Sequence, residues 1–276
     1  AIGTSSNSKS NQSVAIGYAS SAEAPGANPE NPATAVGAGA NANGAGTVAL
    51  GLSANATGTN AVALGGGSNG GTNKTEATAA NATAIGFNAK ASKSGAAAIG
   101  SGAKASGSDS ISFGTDTVAD SEKAIAIGAG SKATNIGATA LGRSSAATAA
   151  SATAVGSLAS ATGTTATAVG IEASASGAES LAIGKTASAT SGRALAVGTN
   201  AKATGASSVA VGSGAGNSGP LGFASSINSL GSVVNSLKTI NYATTAEGDY
   251  AVALGVYANA KNSGVAVGQN ALAATG

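Results

Sequence analysis

The sequence predicts an all-β solenoid built from coils of 14 residues, and three observations predict it. A unit of large residue, Ala, large residue, Gly recurs along the chain, as in SVAIG at 13–17, AVALG at 61–65 and SVAVG at 208–212. From Gly86 to Gly212 its closing glycines are spaced 14 residues apart nine times in succession. A fixed short period marks a repeat architecture in which each unit buries its face only by stacking on the next. The third observation is compositional: Leu, Ile, Val and Phe number 43 in 276 residues, too few for an ordinary globular core, while the net charge is only +2. A chain with so little apolar mass and so little self-repulsion folds only if the repeat supplies the order.

Each coil divides into two strands and two turns. Large or β-branched residues stand three and one before the closing Gly: Val62 and Leu64, Ile125 and Ile127, Leu181 and Ile183. Alternation with period two is a strand, and these large residues are expected to fill the coil interior. Ala stands three and five residues after the Gly, as at Ala89 and Ala91 or Ala201 and Ala203. This reads as a second strand facing the first. The closing glycines Gly65, Gly100, Gly128, Gly156, Gly184 and Gly212 lie where one strand turns into the other, and Gly there permits a positive φ or close approach of the coil above. A further Gly seven residues on, as at Gly58 and Gly107, is expected to form the return turn.

The column between the large residues is almost invariant. It holds Ala15, Ala49, Ala63, Ala98, Ala126, Ala154, Ala168, Ala182, Ala196 and Ala210, with Ser112 a departure that keeps the side chain small. With the large residues inside, this column points out. Because it neither varies nor carries charge, it is expected to be buried against a second copy of the chain.

Three longer steps interrupt the phase, giving coils over 1–212 with insertions near 18–34 and 66–82, an insertion over 213–249, and final coils over 250–276. All four prolines fall in the insertions, where no ladder hydrogen bond is needed. In the longest, Ile227, Leu230, Val234 and Leu237 step as one face of a short amphipathic helix, against which Gly231 counts.

The missing residue types exclude whole chemistries. The chain has no His and no Cys, so it has no His- or Cys-based nucleophile pair, zinc finger or thiol redox motif. No cofactor or metal is expected. Glu172 and Glu179 share a coil, but neither has a carboxylate partner in a marked position, so the chain reads as non-enzymatic. With 13 basic and 11 acidic residues and few aromatics, nucleic acid is not an expected partner. Lys90, Lys104, Lys132 and Lys202 recur four residues after the Gly and make a broken basic stripe, interrupted by Val118. The stripe is either a contact for an acidic ligand or a solvated face that keeps the rod soluble. A monomeric solenoid binding ice or calcium is the alternative reading. It would want a regular Thr array or Asp at a fixed place, and Thr34, Thr83, Thr139, Thr153 and Thr167 share a column with other residue types.

With this register in view, the units SVAIG at 13–17, AVALG at 61–65 and 251–255 and SVAVG at 208–212, each followed by two spaced small residues, resemble the YadA-like head of trimeric autotransporter adhesins of Gram-negative bacteria. The resemblance implies a left-handed parallel β-roll, a homotrimer, and a place on the cell surface or outer membrane, exposed to the extracellular space. It implies adhesion to extracellular-matrix proteins or host cells, virulence and autoaggregation. Units like Asn11–Gly17 are implicated in collagen binding in some such heads. No stalk heptads follow Gly268, and the chain reads as a fragment whose C-terminal membrane anchor lies outside it.

Overall fold

The computed structural model describes residues 1–24, 31–67, 73–213 and 244–274. Every element among them is a strand of two or three residues. Sixteen three-residue strands, from Val14–Ile16 to Val265–Val267 and leaving out Ser21–Glu23 and Asn41–Asn43, form one parallel sheet. We call it sheet A. The strands between them, from Asn7–Ser8 to Leu272–Ala273, form a second parallel sheet of 17 strands, sheet B. The chain alternates between the two, so each coil contributes one rung to each sheet.

Equivalent positions stack on one another. In sheet A, Ala84 pairs with Ala98, Ala98 with Ser112, and Ser112 with Ala126. In sheet B, Lys90 pairs with Lys104, Lys104 with Val118, and Val118 with Lys132. Rungs about 4.8 Å apart make a rod of roughly 80 Å.

The interior reverses the assignment expected of the first strand. Ala15, Ala49, Ala63, Ala98, Ala126, Ala154, Ala168, Ala182, Ala196 and Ala210 are fully buried within the single chain, so they line the coil and cannot face another copy. Val62, Leu64, Ile125, Ile127, Leu181 and Ile183 point outward and are half-buried or exposed. The second strand faces inward as expected, with Ala89, Ala91, Ala201 and Ala203 fully buried. The physical reason is thickness. Two walls of two or three residues enclose a slot that methyl groups fill, and among the described residues the largest fully buried side chain is Thr. Alternation separates two classes of side chain but does not say which is inside. The rule that larger apolar residues go inward fails where the coil is this narrow.

Ser112, the departure from Ala, sits in that slot with its hydroxyl satisfied. Its Oγ donates to Thr117 Oγ1 at 2.7 Å, and Thr117 Oγ1 donates to the Gly114 carbonyl at 2.9 Å. Isolated, a buried hydroxyl would be costly; paired, it is tolerated.

The two glycine columns do different work. Gly100, at φ +133°, closes a sheet A strand, and a Cβ there would stand 2.3 Å from the carbonyl oxygen of Gly114 in the next coil. Its column therefore needs both the conformation and the close approach. Gly107 opens the return turn and needs only the second, since a Cβ would lie 1.9 Å from the Ser121 oxygen. The left-handed residue of that turn comes two positions later, at Asp109 with φ 53°. Asn, Asp and Ser recur at left-handed positions in both turns, as at Asn60 in the return turn and at Asn88 and Ser144 in the turn after the closing Gly. These residue types tolerate that conformation best after Gly.

The insertions are narrower than the sequence suggests. Ser21–Glu23, Glu76–Ala77 and Thr245–Ala246 are regular rungs of sheet B, although all three fall inside the insertions expected at 18–34, 66–82 and 213–249. The first interruption therefore lies between a sheet B strand and the following sheet A strand. The other two lie between a sheet A strand and the following sheet B strand. After both of the latter a Thr re-enters the roll with the same bond: Thr75 Oγ1 donates to the Gly86 carbonyl at 2.6 Å, and Thr244 Oγ1 to the Gly255 carbonyl at 2.8 Å. The expected helix around Ile227 and Leu237 lies outside the described residues.

Candidate self-association and binding faces

With the interior filled by Ala, chemistry available to a partner must come from the two outer faces and the two edges. Sheet A presents two outward columns. The column just before the Gly is apolar and large in every described coil, with Ile16, Leu64, Phe113, Val155, Val197 and Val267 as examples. The column two residues earlier varies, holding Val62, Ala97, Ile111, Thr153 and Leu195 at different rungs. Phe113 remains 51% exposed in the single chain and Val14 42%. Covering a Val, Leu or Ile side chain stabilises by about 1.5–3 kcal/mol when burial is complete. A face with such residues on every rung is far larger than the apolar patches that soluble monomers expose.

Sheet B presents the opposite chemistry. Lys90 and Lys104 stack as neighbours in its outward column. Lys90 Nζ lies 3.5 Å from Glu76 Oε2 and Lys104 Nζ 2.9 Å from Asp120 Oδ1. The lower half of the basic stripe is thus part of an ion-paired network on the surface, where such pairs add little stability. Glu76 escapes sequence reasoning because its strand falls within a supposed insertion. Lys132 and Lys202 lie farther along the same column, at Lys132–Ala133 and Lys202–Ala203. Nearer the start of the chain, Asn41 Nδ2 donates to Asn55 Oδ1 at 2.9 Å. Lys9 Nζ approaches Glu23 Oε1 to 2.7 Å, and this hydrogen bond, foremost, holds the Glu23 carboxyl below its ordinary range.

Between Lys132 and Lys202 sheet B carries no ionisable residue in its outward columns. Ser160, Ser174 and Ser188 stack in one column. Two residues on, at the strand ends, Thr148, Thr162, Ser176 and Thr190 bond rung to rung through their backbone amides and are exposed. This neutral hydroxyl tract was also missed. Its signal is the residue six after each Gly, a column that only becomes meaningful once sheet B is known to continue to it.

The edges differ as well. The edge leading from sheet A to sheet B carries Phe87, 48% exposed, and a neighbouring pair, Leu158 at 44% and Ile171 at 51%. The return edge carries Ile136 and Tyr250 in separate coils, among charged residues such as Glu122, Lys123, Glu179 and Arg193. Among the described residues no three or more His, Cys, Asp or Glu side chains gather as a metal cluster.

No curated protein matches the chain. The family model for the YadA head domain repeat matches it at 1–27, 32–54, 42–68, 77–103, 105–131, 133–159, 161–187, 189–215, 242–258 and 246–271. Those matches span most of the rod, each taking in about two rungs, and they share its two-strand, Gly-closed register. The chain belongs to the YadA head family, the adhesin-type surface module of trimeric autotransporters.

Proposed function

We propose that this chain is the adhesive head of a homotrimeric surface fibre that attaches a Gram-negative bacterium to host extracellular-matrix protein or host cells. Sheet A packs three copies together around a common axis, and sheet B faces outward. The head acts as a rigid spacer and contact surface in the extracellular space at the outer membrane of the cell. Autoaggregation would use the same outward surface on two cells. It performs no catalysis and needs no cofactor.

The observation that carries this reading is the contrast in outward chemistry: large apolar side chains on every rung of sheet A, polar and charged ones on sheet B. Family membership supports the trimer and the surface role. Lys90, Lys104, Lys132 and Lys202 remain the candidate ligand contacts, with the first two restrained by their acidic partners. Light scattering at two concentrations, followed by binding to immobilised collagen and other matrix proteins, tests the proposal. A stable mass of three chains with saturable binding supports it; a stable monomer removes it.

The hydroxyl tract from Ser160 to Thr190 keeps a second reading open, adsorption to ice by a regular array of hydroxyls. Freezing-point hysteresis in the purified protein would favour that reading, and its absence would remove it.

A further inference from the structure

We propose that Asn43 is a site of spontaneous covalent modification. The Gly44 backbone nitrogen attacks its side-chain amide, and the position converts from Asn to a mixture of aspartate and isoaspartate.

The fold itself creates the site. The seventh position after the closing Gly opens the return turn and must lack a side chain. At Gly44 a Cβ would lie 2.8 Å from the Thr57 carbonyl oxygen and 3.2 Å from that of Gly58. Elsewhere in this column Gly58, Gly163 and Gly177 follow Thr57, Thr162 and Ser176. A hydroxyl side chain offers the next amide no carbonyl to attack. Among the described residues Asn43 is the one Asn followed directly by Gly. The bare glycine that stacking demands is also the residue that hinders attack on a preceding carboxamide least.

Local bonding leaves the reaction free to proceed. Asn43 ends the strand Asn41–Asn43 and is exposed. Asn41 Nδ2 is held by Asn55 Oδ1, whereas the Asn43 side chain makes no hydrogen bond among the described residues. The rung-to-rung bonds of sheet B reach the sixth position, as where Thr57 N donates to the Ala77 carbonyl at 3.0 Å. In some coils the seventh amide is tied as well: Gly163 N donates to the Ala175 carbonyl at 3.3 Å and Gly177 N to that of Ala189 at 3.4 Å. The Gly44 amide makes no backbone hydrogen bond among the described residues. Rotation about the Asn43 Cα–C bond therefore carries the Gly44 nitrogen onto Cγ with no bond on its N–H to break.

The nitrogen bonds to Asn43 Cγ as it gives up its proton, and the side-chain nitrogen leaves as ammonia, closing a succinimide ring. Water then opens the ring. Hydrolysis at Cγ restores the normal backbone with a carboxylate side chain; hydrolysis at the backbone carbonyl routes the chain through Cγ and lengthens it by one methylene. Either product puts a negative charge beside Glu23, the rung partner of Asn43. Like charges so placed repel, and the nearby Lys9 is already engaged by Glu23 at 2.7 Å. The Asn segment of sheet B thus turns acidic as the protein ages, while the hydroxyl tract, built on the same turn, does not.

Incubating the folded protein in mildly alkaline buffer, beside a synthetic peptide of residues 39–47, tests this. Tandem mass spectrometry assigns each product to its residue and separates Asn43 from Asn69, whose Asn-Gly pair lies outside the described residues. We expect the folded protein to gain, at Asn43, the mass that distinguishes a carboxylate from an amide, at a rate approaching the peptide's. Asn43→Thr, which installs the residue present at Thr57 in the same column, should abolish that gain and leave the melting point unchanged. Conversion of the peptide with none at Asn43 in the folded protein over the same time overturns the inference. So does conversion at Asn43 that begins only when urea unfolds the chain.

Discussion

Sheet A and sheet B are walls of the same coil, share one Ala interior and stack in the same register, yet their outsides have nothing in common. Sheet A is apolar at every rung, whereas sheet B changes along the rod from Asn, through an ion-paired Lys and Glu segment, to neutral Ser and Thr. The fold constrains the inside of both walls equally, so the difference belongs to what each wall meets. A constant outside speaks for a constant partner, which the chain itself can supply; a changing outside speaks for solvent and for ligands that vary.

The comparison can be broken most severely from within. Ala126→Glu puts a carboxylate into the slot shared by both walls, with no partner for the charge, and should cost more than about 4 kcal/mol and unfold the adjoining coils. Gly100→Ala combines an unfavourable φ with a clash against the Gly114 carbonyl and should cost about 3 kcal/mol or more. Thermal melts followed by circular dichroism would check both. A melting point unchanged by Ala126→Glu would mean that the Ala column is not interior. Next comes the double variant Val155→Glu and Val169→Glu on the outside of sheet A. It should leave the β signal intact and reduce the mass in solution to one chain, separating assembly from folding. Lys90→Gln with Lys104→Gln, on sheet B, should keep both fold and mass, with stability lowered by no more than about 1 kcal/mol because the two ion pairs lost are at the surface. Loss of matrix-protein binding in that variant would assign the basic segment to the ligand, and unchanged binding would leave it as a solubilising face. The smallest effect belongs to Glu23. Its carboxyl is depressed by Lys9, so its contribution is present above the unfolded carboxylate range and is lost as the pH falls through the folded value. Glu23→Gln should flatten only that acid limb of the stability profile, and a change in mass at neutral pH would contradict its place on the outward face of sheet B.

The sequence made the period, the strands, the turn glycines and the Ala face of sheet B readable, because each rests on spacing that no tertiary context alters. It misassigned the Ala column of sheet A, because periodicity assigns residues to faces without orienting those faces. Only the dimensions of the coil orient them, and those depend on wall length and turn geometry together. The insertion bounds failed for a related reason: Glu76 and Thr245 resume the register without a preceding Gly to announce it. The hydroxyl column at Thr148 and Thr162 is not legible because the Ala pair marks the second strand only as far as the fifth residue after the Gly, whereas its backbone bonding continues one residue farther.

The stacking of Gly100 on Gly114, repeated down the rod, has a consequence for inheritance. Since each closing glycine is fitted only to the one after it, and all of them are alike, any coil can follow any other. Gain or loss of a whole 14-residue unit by unequal recombination therefore rejoins compatible surfaces, and shifts the reach of the rod by about 4.8 Å. Length can drift between lineages in steps while the join stays sound, so reach from the cell can be selected independently of what the surface binds.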